Sequence, residues 1–231
     1  MQDELILRPI GRIETDFTEK FGIPRQSGRV AGARGRIILE PEYRSPDAVR
    51  ELDGFSHIWL LFDFSLAHRE GFTPTVRPPR LGGNRHVGVF ASRSPFRPNP
   101  IGLSSVRLER IEYHETLGPI LHVLGVDLLS GTPILDIKPY LPFSDSHPDA
   151  SAGYAAEGEG HRLRVRFAEG GMPPLSPEEA AVLCDCLAED PRPSYQDDPG
   201  REYHMCFGKW EVSFTVSGDT LLVIGHRPHR A

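Results

Sequence analysis

Only three cysteines, Cys184, Cys186 and Cys206, occur in 231 residues, and all fall late in the chain. An odd, clustered set describes no disulfide framework and fits a reducing cytoplasm, where the protein is expected to reside. Cys184-Asp185-Cys186 has no second ligand pair at a metal-binding spacing, so helix packing is expected there and no metal. No apolar run approaches the roughly 18 residues that span a bilayer, and MQDELILRPI lacks the basic start of a secretory leader. No membrane association is expected. There is no G-x-G-x-x-G after a strand, no G-x-x-x-x-G-K-[ST], no G-x-S-x-G and no H-E-x-x-H. A dinucleotide-binding Rossmann domain, a P-loop, a hydrolase elbow and a zinc protease are thereby removed.

Basic charge is outnumbered overall, 26 lysines and arginines against 32 aspartates and glutamates, for a net charge of −6. Its distribution is uneven. Residues 77–110 carry seven arginines (77, 80, 85, 93, 97, 107 and 110) against Glu109 alone, and residues 22–38 add Arg25, Arg29, Arg34 and Arg36 with no acid. Residues 141–231 hold fifteen acids and eight bases. Local basic density decides where a polyanion docks. The basic charge in both rich segments is all arginine, which favours shaped contacts to phosphate or carboxylate.

The run GVFASRSPFRPNPIGLS, residues 88–104, places Arg93 and Arg97 among Pro95, Pro98 and Pro100. Each proline fixes its own φ and holds the residue before it extended. Such a loop aims its guanidinium forks before a ligand arrives, or else it is a rigid connection with solvated arginines.

The first 140 residues read as strands at 4–13, 35–40, 56–64, 86–90, 101–113, 120–129 and 132–137, with one helix over 45–54 capped by Ser45-Pro46. Residues 56–64 (SHIWLLFDF) read as a strand buried on both faces, with His57 a core histidine. Closely spaced strands with few helices argue for a barrel. Residues 143–160 read as a linker. A small α+β unit at 161–231 follows, with strands at 161–167, 203–207, 209–216 and 220–226 and a capping box at Ser176-Pro177-Glu178-Glu179. At that size it is expected to pack on the first domain. The fold class is therefore mainly β: a barrel domain over 1–142 followed by a small α+β domain.

Five ordered segments carry a resemblance to a known family: FGIPRQSG (21–28), DGFSHIWL (53–60), RPPRLGGN (77–84), the arginine loop, and LDIKPY (135–140). Together they resemble the TrmO family of tRNA methyltransferases, and DPRPSY (190–195) extends the likeness into the second domain. The resemblance implies a non-Rossmann β-barrel enzyme using S-adenosylmethionine, working as a homodimer on tRNA whose adenosine next to the anticodon carries a threonylcarbamoyl group. It implies cofactor contacts at Pro24, Arg25 and Gln26, at Arg93, at Leu103, and at Asp127, Leu128, Leu129 and Ser130. Ser65 and Leu66 stand where relatives carry a polar pair, so a backbone contact is implied there.

The acceptor nitrogen lies between an adenine ring and a carbonyl, so it is a poor nucleophile with an acidic proton. A carboxylate and a cation would serve it. Asp136 and Lys138, two apart on one strand, share a face and are candidates for that role, or form a salt-linked strand end. Arg93 suits the carboxylate of either the cofactor or the threonyl group. Arg97, Tyr140, Arg192 and Tyr195 are candidate tRNA contacts, the last two by stacking on an unstacked loop base. A non-catalytic RNA-binding barrel, or a methyltransferase with another acceptor, are the competing classes.

Overall fold

The computed structural model describes residues 5–78, 85–158, 160–193, 196 and 198–229. Eight strands fill its first part: β1 (Gly11–Thr15), β2 (Arg34–Leu39), β3 (His57–Asp63), β4 (Thr75–Val76), β5 (Val87–Gly88), β6 (Ile101–His114), β7 (Gly118–Leu124) and β8 (Pro133–Pro139). Six of them close an antiparallel barrel in the order β1-β2-β7-β6-β3-β8, while β4 and β5 pair separately.

Period-two alternation sets the barrel wall. In β6, Gly102, Ser104, Val106 and Leu108 turn inward and their neighbours outward. In β3, Ile58, Leu60 and Phe62 are buried, each such side chain contributing roughly 1.5–3 kcal/mol. The outward side of β3 is only half-buried or exposed, so the apolar run is not covered on both faces. His57 is exposed, bonded to the Ser56 hydroxyl, and is no core residue. Gly102 faces the Phe62 ring, and a Cβ there would approach it to 2.2 Å, so β3 and β6 need a glycine at this crossing.

Three other expectations give way. Residues 5–10 form no strand, and Leu5 and Ile6 stand exposed. Residues 45–54 make two short 3-10 turns, Pro46–Val49 and Leu52–Gly54, because Glu51 between them takes φ 66, which breaks a continuous helix. The strand expected over 120–129 stops at Leu124, where Gly125 takes φ 77 and sends the chain across the barrel end.

A short helix α1 (Pro142–Asp145) follows the barrel, and the Asp145 carboxylate ties it back by accepting from Trp59 Nε1 at 2.9 Å. The second domain contains β9 (Arg164–Phe167), helix α2 (Pro177–Ala188), β10 (Tyr203–Phe207), β11 (Trp210–Ser217) and β12 (Thr220–Pro228). Its sheet runs β10-β11-β12-β9, with β9 parallel to β12. The capping box is present: Ser176 accepts from the Glu179 amide and the Glu179 carboxylate from the Ser176 amide. Such a cap is worth about 1 kcal/mol.

The two domains share one apolar core. The long crossing between β1 and β2 joins them, with Phe17 edge-on to Phe207 and Phe21 stacked on Phe214. Gly22, at φ 92, lies against the Met205 side chain, where a Cβ would come within 2.2 Å. The segment expected to be a linker is also anchored: Tyr154 donates to the Ala91 carbonyl and Glu157 pairs with Arg85.

Candidate active site

The β1–β2 crossing carries Pro24, Arg25 and Gln26 to one end of the barrel. The Gly28 amide holds it there by donating to the Gly125 carbonyl at 2.8 Å. The proline-fixed loop between β5 and β6 reaches the same end. It is braced internally, the Arg97 amide donating to Pro95 and the Arg97 guanidinium to the Ser92 carbonyl, and it is tied to the end of β3 by the Phe64 amide donating to Pro100. From these two segments, Arg93 donates to the Gln26 side-chain oxygen at 2.6 Å.

Asp127 comes from the third segment, past β7. Its carboxylate accepts from Ser104 Oγ at 2.7 Å and from the Ser27 backbone. Burial holds its pKa above the usual carboxylate range, against the opposing pull of those hydrogen bonds and of the Arg93 charge. An amide oxygen, an aimed guanidinium and a desolvated carboxylate thus meet from three regions spread over about a hundred residues. Ser104 was not legible as a site residue. The one available signal was a hydroxyl at an inward position of β6, where apolar residues otherwise stand.

The other expected residues divide. Leu128 is buried, its carbonyl accepting from the Thr15 hydroxyl; Leu129 accepts from Thr132; the Ser130 hydroxyl accepts from the Thr15 amide. The bonds of Leu128 and Ser130 fasten the Asp127 loop to β1, and that of Leu129 closes the loop on itself. Ser65 and Leu66 are exposed in the turn after β3, with the Leu66 carbonyl accepting from Lys20. Arg25 turns toward the second domain, donating to the carbonyls of Arg192 at 2.8 Å and Asp190 at 3.3 Å. Leu103 lies half exposed on the outer barrel wall, in register with Leu61, which is itself in register with Asp136. Asp136 and Lys138 do share that wall, and they pair with each other at 2.9 Å. Tyr140 packs beside Trp59 there, ring centroids 5.6 Å apart.

Arg192 departs from the stacking role. It is 8% exposed and its guanidinium grips both oxygens of Asp190, at 2.9 and 3.1 Å, besides the Gln196 carbonyl. One face of the fork lies toward the Tyr203 ring, 6.0 Å from its centroid, and burial closes off the rest, so Arg192 is a structural part of the turn. Tyr195, its expected companion, lies outside the described residues. Burial opposes ionisation of Asp190, yet the bonds and charge of Arg192, with His161, outweigh it and hold the carboxyl below its usual range. Two clefts between the domains, sharing Asp16, Glu179 and Phe207, contain none of the expected cofactor residues. None of the described helices is long and apolar enough to cross a membrane.

A closed antiparallel barrel with a charged loop cluster at one end, carrying a smaller α+β domain, defines a two-domain barrel protein. A family model for the tRNA-methyltransferase O N-terminal domain matches residues 12–146, and one for the TrmO C-terminal domain matches residues 161–228. The chain is 46% identical over 213 residues to the tRNA (adenine(37)-N6)-methyltransferase of Escherichia coli K12, covering 90% of this chain and 89% of that one. It is 51% identical over 170 residues to the enzyme of that name from Eikenella corrodens, covering 73% of this chain and 95% of that protein. A crystal structure of TrmO from Pseudomonas aeruginosa superposes with a TM-score of 0.77 at 35% identity, over 98% of this chain and 100% of that one. The chain belongs to the TrmO family.

Proposed function

We propose that this protein transfers a methyl group from S-adenosylmethionine to N6 of adenine 37 of tRNA, next to the anticodon, where the adenine bears a threonylcarbamoyl group. The relatives named for that adenine support the reaction, and the meeting of Gln26, Arg93 and Asp127 at one barrel end is the observation in this chain that carries it. The cofactor has a zwitterionic amino-acid end and a ribose, and the cluster offers an arginine fork and a carboxylate with a hydroxyl beside it. The residues fit. When bound, the cofactor supplies an electrophilic methyl on a cationic sulfur.

The chain's own part is alignment and charge. Gln26 uses one donor of Arg93 and so orients the fork toward a carboxylate, of the cofactor or of the threonyl group. Asp127, steadied by Ser104 and Ser27, accepts from hydroxyl or ammonium donors. Asp136 takes the proton of the acceptor nitrogen, and Lys138 stabilises the charge left behind. Arg97 and Tyr140 border the tRNA. A homodimer completes the site: Phe90, Phe96, Ile101 and Leu103 are exposed around these loops, an apolar margin suited to a second copy. Three free cysteines agree with a cytoplasmic setting.

Mass spectrometry of nucleosides after incubating tRNA with cofactor and protein tests the reading. Methylated threonylcarbamoyl-adenosine is the expected product, with little on tRNA lacking that group, because an unfilled arginine fork disfavours the plain substrate. Equal methylation of both tRNAs overturns the substrate assignment, and cofactor binding without any methylated nucleoside overturns the enzyme assignment. Asp136→Asn is expected to lower kcat on the order of 100-fold with an unchanged melting temperature.

A further inference from the structure

Away from the charged loop cluster, three donor side chains from distant stretches of chain converge. Glu19 lies in the β1–β2 crossing, Cys206 in β10, and His229 just past β12. One carboxylate oxygen, the thiol sulfur and one imidazole nitrogen all lie within 4.8 Å of one another. We propose that Glu19, Cys206 and His229 form a binding site for a zinc-class divalent ion, which clips the crossing loop of the barrel to the end of the chain.

The donor set selects the metal. A thiolate with an imidazole suits zinc and its neighbours in the transition series, whereas magnesium and calcium take oxygen. Charge also balances, because one thiolate and one carboxylate neutralise a divalent ion and imidazole adds nothing. Metal–ligand bonds of about 2.0–2.3 Å in tetrahedral array put ligand atoms roughly 3–4 Å apart. Side-chain rotation of about an ångström closes the present spacing to that range.

Two of the three donors are held from behind. Cys206 is 3% exposed on a strand in register with Glu211. The His229 backbone amide donates to the Lys209 carbonyl at 2.7 Å, which fixes the tail where its ring meets the sulfur. Glu19 is exposed and free to adjust. The Cys206 thiol already hydrogen-bonds that carboxylate, so the ion takes the place of the shared proton: the metal–sulfur bond forms as the thiol proton leaves to solvent. Arg227 does not oppose this, since it is paired with Glu211 at 2.7 Å. Three protein ligands leave the fourth position to water. Cys206 lies on β10 between Met205 and Phe207, whose side chains meet Gly22 and Phe17 across the domains, so the ion adds to a formed interface from the strand's other face.

The test is titration of the full chain, first stripped with chelator, with cobalt(II) alone and then with zinc(II). A thiolate-to-cobalt charge-transfer band saturating at one equivalent, and erased by one equivalent of zinc, is the expected result. Cys206→Ser should abolish the band. His229→Ala and Glu19→Gln should each weaken zinc binding by about 100-fold, given that even outer-shell changes cost 10–100-fold. His229→Ala lies outside the core, so it keeps the test valid if the cysteine variant folds poorly; its melting temperature should no longer rise with zinc. Absence of the band overturns the proposal, as does a band that survives Cys206→Ser or zinc affinity unchanged in His229→Ala.

Discussion

Arg93 and Arg192 sit in turns of similar construction and do different things. Prolines restrict the backbone around both, so both guanidinium groups are aimed in advance. What separates them is the nearest acid. Asp190, two residues before Arg192 and held at φ 51, presents its carboxylate to the whole fork. Residues 88–104 contain no acid, so Arg93 hydrogen-bonds the neutral oxygen of Gln26 and feels the Asp127 carboxylate only through its charge. Rigidity supplies a direction, and the local acid decides whether the arginine is used internally or kept for a ligand. The two turns are also linked. Arg25 holds the backbone of the 190–192 turn, while its neighbour Gln26 holds Arg93.

The largest effect expected from this contrast falls on Arg93. Arg93→Lys keeps the charge and loses the fork, and should lower kcat/KM on the order of 100-fold, about 2.7 kcal/mol, with little change in melting temperature. Equal kcat/KM in the lysine variant would show that charge alone suffices and would erase the difference between the two turns.

Arg192→Ala should reverse the pattern. It leaves Asp190 half-buried with its guanidinium partner gone and His161 as its remaining ion-pair partner, and a loss of about 2–3 kcal/mol of stability is expected, which is roughly 4–12 °C in a domain of this size. In the folded fraction, kcat/KM should fall only a few-fold, through Arg25. Intact stability with weakened tRNA binding would restore the docking role that the geometry removes.

How far the sequence displayed these parts follows from how local each signal is. The alternation of β3 and β6 and the capping box of α2 are set by residues a few positions apart, and they stand where the pattern puts them. The helix expected over 45–54 had sound punctuation at both ends but no way to signal Glu51 at positive φ. At the site, the arginine loop was conspicuous because its three prolines fall within six residues, 95–100. Ser104 and the Glu19, Cys206 and His229 cluster were not, because their partners lie 23 residues or more away in sequence. The fate of Arg192 was nearer to hand, since Asp190 stands two residues before it. Only side-chain direction was missing.

Asp190 itself provides the next test. Its pKa is held below the usual carboxylate range, so the folded state binds its proton less readily than the unfolded chain does. The stability it contributes is complete above that range and is lost as the pH falls through the lower folded value. Asp190→Asn should therefore cost about 1–2 kcal/mol at neutral pH, and the gap to the parent protein should narrow on acidification. A gap independent of pH would mean that the carboxylate charge does not hold Arg192.

Asp127 carries the opposite sign, and the smallest effect. Burial raises its pKa, so the protonated form is the one the fold favours. Stability from that preference is complete below the usual range and is lost as the pH rises through the folded value, leaving an ionised carboxylate that opposes folding at neutral pH. Asp127→Asn retains an oxygen to accept from Ser104 and removes the charge. It should raise stability at neutral pH by roughly 0.5–1 kcal/mol, with the gain vanishing in acid, while cofactor affinity falls about tenfold. The fold thus tolerates a costly carboxylate at one barrel end and gives its other loop acid a full arginine, as the proposed division between a binding charge and a structural charge requires. If Asp127→Asn is less stable at neutral pH and binds cofactor normally, Asp127 belongs with Asp190, and Arg93 is left as the sole charged group of the cluster reserved for a ligand.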